Sequence, residues 1–386
     1  MKTKIAVTSF ASLSPLGSYT ETAWEAYGTS KTTIASYDFD GQKQFAAKIP
    51  AFQRQAIETL RHSEPKYKAL DETVLLAILV ARQAVKQAGW HANDTFGINI
   101  GSSRGATQLF EKYHQEFIET GKTATLASPT TTLGNIASWV ARDLKTQGPE
   151  ISHSITCATA LHAVLNAVAW LQSGMANKFL VGGSEAPLTP FTLAQMHALK
   201  IYAKDEQEYP CRAFDLEKTK NTMVLGEAAA VACLETGISA HALAYIAGIG
   251  YATDTIEHNT SISMEADCFQ KSMKMALQET PLEAVDVVVL HAPGTIKGDA
   301  SEYRAIQKVF GDQMPLLTTN KWKVGHTFGA SGMLNIELAL IILQHQQFIG
   351  IPYVMQTQSR SSFSKILINA VGFGGNAVSI LLSKTP

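Results

Sequence analysis

The segment from residue 151 to residue 174 constrains the fold of this chain more than any other segment. A β-branched run over 151–156 predicts a buried strand. The apolar positions of 158–174 recur at helical spacing, which predicts a helix directly after that strand. Cys157 therefore falls at a strand-to-helix junction, on the first residue of the helix. The rest of the chain is organised around this junction.

The position of Cys157 favours a reactive thiol. The unpaired backbone N–H groups at a helix start carry partial positive charge and stabilise an anion. A thiol placed there can have its pKa lowered from about 8.5 to roughly 3.5–7.5, and the thiolate is the nucleophile. A small buried core cysteine is the alternative interpretation, and motifs elsewhere in the chain decide between the two.

Composition indicates a large core and a buried subunit interface. The chain has 386 residues, of which 46% are hydrophobic and only 17% are charged, so little charge is available to cover its surface. The length suits two fused or interleaved units. The net charge of −1 argues against bulk electrostatic binding to nucleic acid or to a membrane.

The cysteines and the N-terminus indicate a cytoplasmic protein. Cys157, Cys211, Cys233 and Cys268 show no paired metal-ligand spacing, so we expect reduced thiols and no metal site. Residues 9–20 are too polar for the core of a signal peptide, and residues 4–10 are interpreted as a strand. We find no run close to the roughly 18 apolar residues that a membrane helix needs, and expect no membrane contact.

Predicted strands and helices alternate along the chain, which indicates an α/β fold with a largely parallel sheet. The predicted helices are 20–27, 66–89, 130–143, 158–174, 263–279, 300–310 and 330–346. The predicted strands are 4–10, 96–101, 151–156, 178–185, 226–234, 242–251, 285–290, 365–371 and 377–382. Residues 30–64 are predicted to be irregular. The helix–strand pair 158–181 is echoed by 330–370, which predicts two similar halves.

Several polar residues in the second half follow strand ends or lie in loops. His291 ends the predicted strand 285–290, at the edge where catalytic groups gather in open α/β sheets. Glu302 follows in the next helix, and Lys321 and His326 lie in a glycine-containing loop before 330–346. Taken singly, each histidine could be structural, Lys321 a surface lysine, and the turn 372–376 a simple β-turn.

Taken together, these motifs resemble the elongating β-ketoacyl-[acyl carrier protein] synthases of the thiolase-like superfamily, almost from end to end. The motifs that carry the resemblance stand in this order: Leu13–Gly17, the segment around Cys157, Arg212–Asp215 with Gly226–Glu227, His291 with Gly298–Asp299 and Glu302, Lys321 with Gly325–Thr327, and Gly372–Asn376. The resemblance implies an α/β thiolase-like fold of two pseudo-symmetric halves stacked as α-β-α-β-α. Residues 1–236 would carry the nucleophile, and 237–386 the two histidines.

The resemblance also implies a reaction, the decarboxylative Claisen condensation of malonyl-carrier protein with an acyl chain bound to Cys157. The backbone N–H groups of Cys157 and Phe373 would stabilise the oxyanion, and His291 and His326 would donate to the malonyl thioester oxygen. The implied roles of the other residues are support of the histidines (Lys321, Glu302), gating (Phe373, Gly374) and substrate binding (Thr295, Gly372, Gly375).

The resemblance implies no resident cofactor, because phosphopantetheine arrives on the substrate. The implied partners are an acyl carrier protein and a second subunit, in a homodimer or heterodimer. Arg61, Lys66 and Lys68 are candidates for docking an acidic carrier, although an ordinary solvated lysine cluster explains them equally well.

Some positions depart from the family pattern. Pro293 stands where a threonine that holds the pantetheine arm is typical, and Val371 where an aromatic is usual. These departures favour a specialised polyene, pigment or polyketide pathway. The alternatives are an enzyme that transfers or decarboxylates without condensing, and a non-catalytic partner subunit resembling a chain-length factor. Phe191, Met196 and Met223 are candidates for setting the depth of the acyl pocket.

Overall fold

The computed structural model describes residues 3–18, 21–91, 94–133, 135–255, 263–278, 280–356 and 360–386. The helices of these residues are α1 Glu21–Tyr27, α2 Ala51–Ser63, α3 Glu72–Gln87, α4 Thr107–Thr120, α5 Ala127–Thr131, α6 Asn135–Leu144, α7 Thr159–Ser173, α8 Pro190–Ala198, α9 Asp267–Leu277, α10 Ile296–Phe310, α11 Lys321–Val324 and α12 Ser331–His345. The strands are β1 Ile5–Ser14, β2 Gly17–Ser18, β3 Ala35–Phe39, β4 Gln42–Ala46, β5 Gly97–Gly101, β6 Glu150–Ile151, β7 Lys178–Glu185, β8 Ala228–Thr236, β9 Ala244–Thr253, β10 Val287–Val289, β11 Leu316–Thr318, β12 Lys365–Gly372 and β13 Asn376–Ser383.

The main sheet contains the same five-strand arrangement twice. Its order is β6-β5-β7-β8-β1 followed by β9-β13-β12-β10-β11. In each set the first three strands from the outer edge run parallel, and the fourth is antiparallel to both of its neighbours. The sets meet through a short antiparallel pairing of β1 with β9. The sheet is therefore mixed, and the prediction of a largely parallel sheet was wrong, because β1, β8, β9 and β13 pair antiparallel to their neighbours. The predicted boundary at residue 236 coincides with the end of β8; the assignment of two domains stays a prediction.

Alternating side chains of the strands divide the molecule into layers. Phe179 and Val181 of β7 lie in a central core with α7 and α12, whereas Leu180 lies in an outer core with α3 and α6. In the second half, Ile366 of β12 belongs to the central core, and Leu367 to an outer core with α9 and α10. Because successive residues of a strand face opposite sides of a sheet, each set of strands is covered by helices on both faces. The predicted α/β thiolase-like fold, layered α-β-α-β-α, is confirmed.

The central layer holds helices with almost no polar face. In α12, every residue from Ser331 to Leu343 is buried, as expected for a helix enclosed on all sides. Gly332 allows α12 to lie close to α7, because a Cβ there would come within 2.7 Å of Leu161 Cγ. The segment Phe328–His345 has the length and mean hydropathy of a membrane span but is 89% buried within the fold. The segment includes Ser331, Asn335 and Glu337 and is a core helix of the fold.

Element types were predicted better than element ends. The predicted helix 66–89 begins only at Glu72, after a separate 3₁₀ turn at Pro65–Tyr67. The prediction that 30–64 is irregular was wrong, since these residues form the β3–β4 hairpin and α2. Residues 20 and 279, both predicted as helical, lie outside the described residues.

The predicted strand 151–156 was also wrong. The strand β6 ends at Ile151, and the chain then runs irregularly to the start of α7 at Thr159. Cys157 therefore lies two residues before the helix, and not on its first residue. The turn that brings it there includes Thr156 at φ 46°, a left-handed conformation that is uncommon for a β-branched residue.

Candidate active site

Cys157 is positioned by contact between the 152–158 segment and the end of β12. A Cβ on Gly372 would collide with the Thr156 side chain and approach Ile155 O to 2.8 Å. Only a glycine therefore allows β12 to lie against this turn. The resulting thiol is 5% exposed.

His326 is held by its backbone against the loop before β8. Gly325 adopts φ 67°, His326 N donates to Val224 O at 2.6 Å, and Gly226 N donates to His326 O at 3.1 Å. These bonds place His326 Nε2 3.1 Å from Cys157 Sγ. On the other side of the ring, Nδ1 lies 2.8 Å from Ser331 Oγ. The structure thus brings together the predicted cysteine and one predicted histidine.

His291 lies beside His326 in the same group. Its ring centroid lies 5.3 Å from that of His326, with the ring planes at 84°. Glu302 accepts from His291 N at 2.9 Å and from Ala292 N at 2.8 Å, and so fixes a turn in which Ala292 has φ 29°. His291 Nδ1 is buried and finds no hydrogen-bond partner among the described residues.

Glu302 belongs to a buried polar network that sequence reasoning missed. Asn369 Nδ2 donates to Glu302 Oε1 at 3.3 Å, and Ser379 Oγ donates to Asn369 Oδ1 at 2.8 Å. Burial raises the pKa of Glu302 to about 7, against the lowering effect of the donors around it. In the sequence, the signal for this network was Asn369 itself, a polar residue within the apolar strand that leads to the closing glycine turn.

Lys321 acts on both histidines at a distance. It is 1% exposed, and its Nζ is 3.5 Å from Asn335 Oδ1; no hydrogen bond joins Nζ to either histidine in the described part of the chain. Burial lowers the pKa of Lys321 to about 8, while the Glu302 charge acts in the opposite direction. Asn335 in turn donates to Leu290 O at 3.1 Å, which ties α12 to the residue before His291.

The thiol is not the low-pKa thiolate that the sequence predicts. Burial, with a further contribution from Glu185, raises the pKa of Cys157 to about 12, and Lys321 opposes that shift. Burial and the Lys321 charge hold the pKa of each histidine, His291 and His326, well below 6.5. At neutral pH the resting site therefore holds a neutral thiol facing a neutral imidazole, and the thiol needs a base before it can attack.

Two carboxylates anchor the loops around the site. Glu185, at the end of β7, accepts from the backbone N–H groups of Ser103 and Gly329. Asp299 accepts from Gly294 N at 3.0 Å and forms a buried ion pair with Lys218. It also accepts from Phe214 N at 2.8 Å, so Asp299 links two of the sequence motifs to the loop that follows His291.

A cavity of about 230 Å³ opens onto the thiol and both histidines. It is lined by Cys157, Ile201, Asn221, Met223, His291, Pro293, Thr295, Lys297, Gly298, His326, Phe328, Val371, Gly372 and Phe373. Its inner wall is largely apolar, and the exposed Lys297 lies at its mouth. A mostly apolar cavity with a few polar groups around a thiol is typical of a small-molecule binding site.

The cavity contains some of the predicted substrate-binding residues and not others. Thr295 lines it and also caps α10, where its Oγ1 accepts from Gly298 N at 3.2 Å. Phe373 is 40% exposed at the wall. Gly374 and Gly375, at φ 95° and 70°, form the β12–β13 turn and do not line the cavity.

The two halves of the chain match the models of one protein family. Residues 2–240 match the beta-ketoacyl synthase N-terminal domain, and residues 243–352 match the beta-ketoacyl synthase C-terminal domain. The chain belongs to the beta-ketoacyl synthase family. It is accordingly an acyltransferase of this class.

Individual relatives resemble this beta-ketoacyl synthase over its whole length. A 3-oxoacyl-[acyl-carrier-protein] synthase 2 from Vibrio cholerae is 25% identical over 414 residues, covering 99% of each chain. The solved ishigamide ketosynthase/chain length factor has a TM-score of 0.89 at 20% identity and covers 100% of each chain. A type II PKS acyl-carrier protein in complex with its ketosynthase bound to the hexaketide has a TM-score of 0.84 at 19% identity, covering 99% of this chain and 100% of that one.

The residues predicted to set the depth of the acyl pocket lie partly in the cavity wall and partly outside it. Met223 lines the cavity and Met196 belongs to the apolar cluster that contains Cys157. Phe191 is 59% exposed and lines a separate cleft together with Phe39. Phe191 is therefore not a wall of the cavity.

The predicted docking cluster is largely neutralised within its own segment. Arg61 pairs with Glu58 and donates to Leu70 O at 2.9 Å, and Lys66 pairs with Glu64 at 3.0 Å. The described residues contain no group of three or more His, Cys, Asp or Glu side chains that could hold a metal ion.

Proposed function

We propose that this chain is an elongating 3-oxoacyl-[acyl-carrier-protein] synthase that performs a decarboxylative Claisen condensation. The observation that carries the proposal is the 3.1 Å contact between Cys157 Sγ and His326 Nε2. Both residues are buried in the wall of a cavity that His291 also lines. A thiol beside a neutral base is the arrangement that nucleophilic acyl transfer needs.

In the first half-reaction, the acyl chain moves from a carrier-bound thioester to Cys157. The thiol S–H bond breaks and the proton moves to His326 Nε2, while the sulfur electron pair attacks the thioester carbonyl carbon. The bond from that carbon to the pantetheine sulfur then breaks, and the departing thiolate takes the proton from Nε2. Backbone N–H groups of Cys157 and Phe373 would stabilise the intermediate oxyanion.

In the second half-reaction, malonyl-carrier protein occupies the vacated cavity. Its C–C bond to the carboxylate breaks, CO₂ leaves, and the electron pair moves into an enolate whose oxygen accepts hydrogen bonds from His291 and His326. The enolate carbon attacks the acyl carbonyl, and collapse of the intermediate expels the Cys157 thiolate, which regains a proton. The product is a 3-oxoacyl chain two carbons longer on the carrier protein.

The proposal assigns phosphopantetheine to the substrate and no resident cofactor to this chain. The carrier protein is the proposed partner, supported by the solved neighbour in which such a protein is in complex with its ketosynthase. Thr295 is the hydroxyl on the cavity wall that can contact the pantetheine arm, because Pro293 offers none. We also propose that this chain forms a dimer, with a second copy of itself or with a second ketosynthase-like subunit.

A second candidate is the non-condensing partner subunit. It is favoured by Pro293 in the cavity wall and by the likeness to a ketosynthase/chain length factor structure. The assembled Cys157, His291 and His326 favour the condensing enzyme, since a subunit that only shapes a neighbour's pocket has no need of these three groups.

Acyl loading tests the proposal directly. Intact-protein mass is measured after mixing with a series of acyl-carrier proteins, before any malonyl donor is added. We expect a mass increase of one acyl group, absent in Cys157→Ala and retained in Cys233→Ala, whose thiol is buried in β8 away from the cavity. Subsequent malonyl-carrier protein should release that mass as a 3-oxoacyl product.

An adduct that persists in Cys157→Ala would remove Cys157 as the nucleophile. No adduct with any chain, together with co-purification of a second ketosynthase, would favour the partner-subunit function.

A further inference from the structure

Ser331 contacts the edge of the His326 ring that points away from Cys157. Its Oγ lies 2.8 Å from His326 Nδ1 and 3.2 Å from Thr327 Oγ1, and it accepts from Thr327 N at 3.1 Å. Ser331 is 2% exposed, on the first residue of α12. It does not line the cavity, so any effect on the reaction passes through His326.

The two half-reactions require opposite hydrogen-bonding roles of His326. Accepting the thiol proton requires a lone pair at Nε2, so the ring proton must be at Nδ1. Donating to the enolate oxygen requires a proton at Nε2, which leaves Nδ1 as the acceptor. A neutral imidazole carries only one proton and cannot fill both roles in one tautomer.

The chemical nature of the partner at Nδ1 decides which tautomer is stable. A backbone N–H can only donate and a carbonyl can only accept, so either would fix one tautomer. A hydroxyl can do both, because its proton rotates to suit its neighbours. With the Thr327 N–H already bound, the Ser331 oxygen keeps one proton to donate and one lone pair to accept.

We propose that Ser331 is a positioning residue that stabilises both tautomers of His326 in turn. The proposal rests on the proposed function. In acyl transfer, Nδ1–H donates to Ser331 Oγ, and the Ser331 hydroxyl proton turns to Thr327 Oγ1. In decarboxylation, the Ser331 hydroxyl donates to Nδ1, and Nε2–H faces the substrate oxygen. Between the half-reactions the ring loses one proton and gains one by exchange with solvent water, so its charge is unchanged.

Removing the Ser331 hydroxyl should slow acyl transfer more than it slows decarboxylation. In Ser331→Ala, Nδ1 loses the hydroxyl that contacts it. A buried N–H without an acceptor is strongly disfavoured, so we expect the ring proton at Nε2. Because general-base assistance contributes about 10²–10⁴-fold to a rate, we expect the acyl-loading rate to fall at least about tenfold relative to the rate of CO₂ release from malonyl-carrier protein. Ser331→Thr keeps a hydroxyl and should restore the ratio.

A spectroscopic measurement tests the tautomers without turnover. In the parent protein labelled with ¹⁵N-histidine, we expect the His326 ring nitrogens, assigned by their loss in His326→Asn, to show averaging between both tautomers. In Ser331→Ala they should report a proton at Nε2 alone. Ser9→Ala removes a similarly buried serine that bonds to Ala84 O at 2.8 Å and serves as the matched control, with parental rates and spectrum.

Equal loss of both half-reactions in Ser331→Ala, or an unchanged His326 spectrum, would overturn the inference. Failure of the proposed function looks different: the parent protein then loads no acyl group, whereas the tautomer spectrum still shows whether Ser331 controls the ring.

Discussion

At the scale of single residues, the site works through burial more than through formal charge. Cys157, His291 and His326 are each enclosed, and desolvation favours the neutral form of all three. Lys321 is the exception, since its pKa of about 8 leaves it largely protonated at neutral pH. In the proposed reaction, its charge is therefore available to stabilise the negative charge that develops on the substrate oxygen.

The lowered pKa of Lys321 predicts that the proposed decarboxylation slows at alkaline pH. Because burial lowers its pKa to about 8, the side chain loses its charge as the pH rises through that value, and the rate of CO₂ release should fall with it. In Lys321→Met we expect a slower rate without that alkaline fall, measured from pH 6.5 to 9.5.

Lys323 is the matched control for this measurement. It is also 1% exposed with a pKa lowered to about 8, but its Nζ donates to Thr29 O at 2.6 Å. Lys323→Met should keep the alkaline fall. An alkaline fall that survives in Lys321→Met would assign the limit to another group.

At the scale of elements, the nucleophile depends on contact between segments far apart in sequence. The irregular segment 152–158 has its shape because the end of β12 lies against it, with Gly372 facing Thr156 and Ile155 O. His326 depends likewise on backbone bonds to Val224 and Gly226. Cys157 and His326 are thus each fixed by a strand or loop from another part of the chain.

Gly372→Ala should displace the nucleophile. The added Cβ meets the Thr156 side chain, and overpacking of this kind typically costs about 1–3 kcal/mol. We expect a lower Tm and loss of acyl loading in the intact-mass assay. Gly350→Ala, whose Cβ would meet only Phe348 at 3.4 Å, should leave both unchanged. Parental loading by Gly372→Ala would show that the Thr156 turn can shift without moving Cys157.

At the scale of the whole molecule, two similar sets of strands enclose α7 and α12 in one central core. The core is almost entirely apolar, and Glu337 of α12 is an exception at its centre. It is 0% exposed and shares a hydrogen bond with Ser12 of β1. Burial raises the pKa of Glu337 to about 7, and the Ser12 bond opposes that shift.

Glu337 makes the stability of the fold depend on pH. Its folded-state pKa is raised from 4.5 to about 7, so the folded state holds a proton that the unfolded state has lost. Stability should therefore fall as the pH rises from about 4.5 to 7, by on the order of 3 kcal/mol at about 1.4 kcal/mol per pH unit. In Glu337→Gln we expect a flatter dependence of Tm on pH over this range.

Glu58→Gln, at a half-exposed position on α2, is the control and should follow the parental dependence. A Glu337→Gln protein that loses stability with pH as steeply as the parent would show that Glu337 is not the responsible group.

The sequence by itself determined the fold class, and it predicted the cysteine and two histidines that line one cavity. Alternating strands and helices indicate an α/β fold because hydrophobic periodicity is a local property of the chain. The order of the Cys157, His291 and His326 motifs likewise needs no coordinates. Tertiary structure decided the protonation states, because burial of Cys157 outweighs the effect of a nearby helix start and makes its thiol neutral. It also decided that Asn369 contacts Glu302, which lies in a distant segment, and that Ser331 contacts the ring of His326.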